Sequence, residues 1–76
     1  MAMIKLNPKG ETVHFEVENH GSIWLFRPLT DPAMDWVNEN LPEDAMWFGD
    51  AVAIEHRLIG AIVEGAANDG LRVRVN

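Results

Sequence analysis

The stretch MWFGDAVAIEH, Met46 to His56, restricts the fold of this chain more than any other. Gly49-Asp50 at its middle suits a two-residue type II′ turn, which needs a positive φ at its first position. If the chain turns there, DAMWF and AVAIE are two short antiparallel strands. If it only bulges, residues 45–55 form one longer strand. The segments on either side have to fit whichever is true.

Upstream, ETVHFEVENHG alternates, with Val13, Phe15 and Val17 on one side and His14, Glu16 and Glu18 on the other. That is a half-buried strand over 12–18. Asn19-His20-Gly21 reads as a tight turn, and SIWLFRPL then supplies a strand over 23–29 that is apolar at nearly every position. MIKL and NPKG offer a further short strand and turn before Thr12. TDPAMDWVNENLP has a helix start at Thr30 or Asp31 with Pro32 in the first turn, and a stop before Pro42. Its buried stripe reads Ala33, Met34, Val37 and Leu41, with Trp36 on the flank. His56 beside Glu55 opens a second helix, HRLIGAIVEGAANDG. Ile59, Ile62, Val63 and Ala66 face inward there, and Gly70 suits the left-handed residue past its end. LRVRVN closes the chain as a strand.

With the hairpin, the order from Ser22 is strand, helix, strand, strand, helix, strand. That is the β-α-β-β-α-β pattern of a ferredoxin-like two-layer sandwich. It predicts 23–29 and 51–55 side by side and parallel, both helices on one face, and Val52, Ile54, Leu71 and Val73 beneath them. The short turn at 19–21 fits poorly, because it places 12–18 beside 23–29, where 71–75 is also wanted. A bulge at Gly49 would instead allow the order 12–18, 23–29, 45–55, 71–75 with right-handed crossovers. The hairpin is preferred, with the N-terminal strands at an edge or swapped to another chain. Either way the 76 residues make a single α+β domain, with N-terminal strands within 3–18 and a core over 22–76.

Helices on one face leave the other sheet face open. Trp24, Phe26, Ala51, Ala53, Arg72 and Arg74 are expected on it. Aromatics and arginines on an open sheet suggest single-stranded RNA stacking. Against that, Ala51 and Ala53 stand where rings are wanted, and six basic against twelve acidic residues leave a net charge of −6. Cover from residues Met3 to Phe15, a second copy of the chain or another protein accounts for such a patch better. Trp24, Phe26 and Trp36, with Arg72 and Arg74 at the rim, are therefore the candidate partner-binding residues. A second candidate surface is the small face of the second helix, Gly60, Ala61 and Gly65.

Other chemistry finds little support. There is no cysteine, and Ser22 is the only serine. No Gly-rich phosphate loop leads into a helix, and Glu43-Asp44 are neighbours in a loop. His14, Glu16 and Glu18 share one strand face, with His20 nearby, but match no metal-site spacing. No catalytic residue, metal or cofactor is expected. MAMIKLNPKG has no long apolar core, so neither a signal peptide nor a membrane span is expected, and a cytoplasmic location fits.

The residues RPLTDPAMDWVNENL, AMWFGDAVAIEHR and DGL resemble a group of small hypothetical proteins of bacteria and their phages. These carry a WFG turn followed by an apolar-Val-Glu strand. The resemblance spans residues 21–71, implies no activity, and makes a phage or prophage context an expectation. The resulting expectation is a non-enzymatic protein-interaction module that forms homo-oligomers or binds a host protein with a basic surface. An acidic inhibitor of a nucleic-acid-handling complex, using Glu16, Glu18, Asp35 and Glu39, is the first alternative. A sheet-based RNA binder and an enzyme with an inter-subunit site follow.

Overall fold

The computed structural model describes residues 12–76. Its elements are β1 (Phe15–His20), β2 (Ile23–Pro28), α1 (Asp31–Asn40), β3 (Trp47–Phe48), β4 (Ala51–Glu55), α2 (His56–Asn68) and β5 (Val73–Val75). One five-stranded mixed sheet has the order β3-β4-β2-β1-β5. The strand expected within MIKL lies outside the described residues, as does the part of the expected Met3 to Phe15 cover that precedes Thr12.

Gly49-Asp50 is a hairpin turn. Phe48 faces Ala51 and Trp47 faces Val52 in antiparallel register, and Gly49 takes a φ of +60°. Three of the expected relations differ. β2 and β4 are antiparallel, with Trp24 opposite Ile54 and Phe26 opposite Val52. The α1 crossover returns β3 parallel to β2, and the hairpin then reverses β4. Second, β1 is an interior strand, not an edge or swapped one. The two-residue turn at Gly21-Ser22 holds His20 opposite Ile23, so β1 has to lie beside β2. Third, β5 does not reach β2. With that side taken, α2 delivers β5 to the far side of β1, parallel to it, with Phe15 opposite Val73.

The helix boundaries follow the sequence signals. Thr30 Oγ1 accepts the Ala33 amide at 3.2 Å, and Leu41 is extended ahead of Pro42. α2 ends in a Schellman arrangement. The Leu71 amide donates to the Ala66 carbonyl, the Gly70 amide donates to that of Ala67, and Gly70 has a φ of +86°.

Both helices cover one side of the sheet. Residues directly opposite on neighbouring strands share a face, so Val17, Phe26 and Val52 form one inward row. Phe15, Val17, Phe26 and Val52 are fully buried and meet Ala33, Trp36 and Val37 of α1 and Ile59 and Ala66 of α2. The rings of Phe15 and Phe26 stack at 4.3 Å, and Trp36 meets both edge-on at 5.8 and 6.2 Å. Such aromatic pairs contribute about 0.5–1.5 kcal/mol each beyond the area they bury.

The α1 stripe is rotated from the expected one. Trp36 is core, while Met34 is exposed. Its indole fills the space above the Phe15–Phe26 stack, and its Nε1–H donates to Asp69 Oδ2 at 2.7 Å. That bond ties α1 to the end of α2 and satisfies the one polar atom of a buried ring.

Candidate interaction surface

The expected site divides between the two sides of the sheet. Trp24 and Phe26 face the helices, not the open side. Phe26 is fully buried. Trp24 is half-buried and lines a groove of about 580 Å³ beside α2, together with Ile59, Gly60 and Val63. Trp36 is an internal anchor. Of the small-residue face, Gly60 and Ala61 are exposed, but Gly65 lies under Trp36. A Cβ built at Gly65 would sit 3.5 Å from the indole Cζ2. The three small residues therefore do not form one free surface. Ala51 is fully buried, Ala53 half-buried, and both lie on the side away from the helices.

That open side carries the residues of opposite parity, in two zones. The first is charged. Glu16 lies opposite Arg27 on β2 and Arg74 on β5. The half-buried Arg27 guanidinium donates from Nε to Asp50 at 2.9 Å, and from a terminal nitrogen to Glu18 at 3.2 Å and Glu16 at 3.4 Å. Arg74 also bonds Glu16. These bonds displace the carboxylates in one direction. The Arg74 and Asn76 hydrogen bonds hold Glu16 below its ordinary value. His20 and then Arg27 do the same for Glu18, and Arg27 does so for Asp50. Asp50 and Glu18 in turn raise Arg27. Every shift favours the charged form.

Arg72 is exposed, and its contribution comes from its backbone. Its amide donates to His14 Nδ1 at 2.9 Å, and its carbonyl accepts from the amides of His14 and Phe15. His14 therefore pins the start of β5. Glu18 bonds both Arg27 and His20, and Glu16 bonds both arginines. No group of three or more potential metal ligands occurs among the described residues.

The second zone is apolar. Ile23 and Leu25 of β2 and Ala53 of β4 floor a trough of about 540 Å³, and Met46 and Phe48 stand along it. His20 and Glu55 close one end. Met46 is 64% exposed and Phe48 62%. A volume of this size lies within the range of ordinary ligand and peptide sites.

Reasoning from sequence missed Ile23, Leu25, Met46 and Phe48. A signal for two of them was present. Once Val17 faces inward and the turn is Gly21-Ser22, hairpin pairing puts Phe26 on Val17's side and Leu25 on the other. Met46 and Phe48 gave no comparable signal, because β3 is only two residues long.

Comparison with family models, with curated proteins and with solved structures finds no match to this chain. No helix among the described residues is long and apolar enough to cross a membrane.

Proposed function

We propose that this chain is a non-enzymatic protein-interaction module whose docking surface is the apolar trough on the open side of its sheet. The observation that carries the reading is the exposure of Met46 and Phe48, both above 60%, beside Ile23, Leu25 and Ala53. A contiguous apolar patch rimmed by charge is the usual mark of a partner site. The titratable groups support a binding role over a catalytic one. Glu16, Glu18, Asp50 and Arg27 are all pushed further into their ordinary charged states, whereas acid–base catalysis needs a group poised near neutral pH. Context in a phage or prophage and a cytoplasmic setting remain compatible with this reading.

The other readings have less support. Trp24 and Phe26 are turned to the helices, which removes the stacking platform that an RNA-reading sheet requires. The acidic-inhibitor surface is divided. Glu16 and Glu18 lie on the open side and are bonded to arginines, while Asp35 and Glu39 lie on α1 across the sheet.

Affinity capture from the source cell with the full chain and its Met46→Ser/Phe48→Ser variant tests the proposal. Both side chains are exposed, so the variant should fold. The captured partner should be lost with this variant and kept with Leu58→Ser, a comparably exposed change on α2. Equal capture by all three proteins refutes the trough as the docking surface.

A further inference from the structure

We infer that the occupant of the trough is a short amphipathic helix of another protein, with lysines or arginines flanking its apolar stripe. The inference rests on the docking role proposed above and adds the chemistry of the partner.

The first observation concerns geometry. The trough floor belongs to β2 and β4, strands bonded to neighbours on both sides, and the Ala53 amide donates to the Met46 carbonyl at 2.8 Å. The floor therefore has no ladder of free backbone groups for an extended peptide, and the free edge beside it, that of β3, is only two residues long. A segment lying there has to satisfy its own backbone, and a helix does so. The volume of about 540 Å³ suits a few large side chains from successive turns of one helix. Met46 can move to fit them, since methionine is unbranched and polarizable.

The second observation concerns charge. Arg27, two residues past Leu25 on the same strand face, and Arg57, bonded to the lining residue Glu55, are each taken up by the chain's own carboxylates: Arg27 by Asp50, Glu18 and Glu16, and Arg57 by Glu55. The loop that leads into Met46 adds Glu43 and Asp44, both exposed. With Arg74, which also bonds Glu16, three arginines stand against Glu16, Glu18, Asp50 and Glu55, and Glu43 and Asp44 add to the excess, so the rim is net acidic within a chain of net charge −6. A second copy has the wrong sign. The solvent side of α1 carries Asp31, Asp35 and Glu39, and neither helix has a basic residue in its last turn. A cationic helix fits the rim and is drawn to it at long range.

The test uses the full chain, isotope-labelled, and two helical peptides. Both carry leucines at i, i+3, i+4 and i+7; one has lysines and the other glutamates at the flanking positions. The lysine peptide should cause saturable amide shifts centred on Ile23, Leu25, Met46, Phe48 and Ala53. The glutamate peptide should bind at least about tenfold more weakly, with the gap closing as salt rises. Met46→Ser/Phe48→Ser, checked for retained spectral dispersion, should weaken the lysine peptide about tenfold or more. Equal binding of both peptides at the trough overturns the inferred partner chemistry and leaves the docking surface standing. So does a dimer, seen by light scattering, whose contacts map to the trough. Absence of trough shifts with either peptide, in a chain shown to be monomeric, overturns both the inference and the docking role.

Discussion

The two sides of the sheet use similar residues for different ends. On the helix side, Phe15, Val17, Phe26 and Val52 are fully buried under Trp36, Val37 and Ile59. On the open side, Ile23 and Leu25 come from the same strand as Phe26, yet nothing in the chain's two helices covers them. β2 is therefore apolar at nearly every position for two separate reasons. Alternate residues hold the protein together, and the residues between them line a surface. A strand that is apolar on both faces inside a two-layer fold marks an incomplete burial that another molecule can finish.

The sharpest way to break this comparison is to shorten one ring on each side. Phe26→Ala removes a stacked, fully buried ring and should cost about 3–5 kcal/mol. Set against the roughly 5–15 kcal/mol of a typical domain, that loss should show as a large drop in the midpoint of thermal or urea unfolding. Phe48→Ala, on the open side, should change stability by only about 0.5 kcal/mol. Similar losses for the two would mean that the sides are not distinct. The Trp36–Asp69 bond tests how the helices are held to the closed side. Asp69→Ala should cost about 1 kcal/mol in urea unfolding.

Glycines sharpen the picture of α2. Gly70→Ala, at a positive φ, should destabilise by roughly 1–2 kcal/mol. Gly60→Ala, where a Cβ would meet open space, should stabilise by about 1 kcal/mol if Gly60 serves only as solvent-facing helix. The smallest effect is expected from pH. Glu16, Glu18 and Asp50 have folded-state values below their ordinary ones. Their pairs therefore contribute stability that is complete above the ordinary carboxylate range and is lost as pH falls through the lowered values. The melting temperature should decline on acidification below about pH 4.5, the ordinary glutamate value. Arg27→Met should make that decline shallower.

Local signals carried the elements well. Thr30, Pro42, Gly49 and Gly70 each mark a boundary or turn with a stereochemical reason, and each is where the chain turns or stops. The inward stripe of α2 was equally legible, since Ile59, Ile62, Val63 and Ala66 all pack on the core. The sidedness of β2 was not legible from its own residues, because IWLFRP has no alternation to read. It was recoverable only through the pairing with β1. Strand order was also hidden. It depends on which side of β2 the first hairpin occupies, and that is a competition between two distant partners. Trp36 was misplaced because Leu41, counted with Ala33 and Val37, tilts the stripe towards Met34, although Leu41 lies past the helix end at Asn40. The indole won because it fills the volume over two stacked rings and has a carboxylate for its N–H.

Among the described residues 12–76, the helices close one side of the sheet and the other lies open around Met46 and Phe48. Solution NMR with a soluble paramagnetic relaxation agent measures this directly. The account predicts strong broadening of the Met46 methyl and Phe48 ring signals, and almost none for the rings of Phe15 and Phe26. Protection of Met46 and Phe48 in a monomer, or broadening of Phe26 to the same degree, would contradict it.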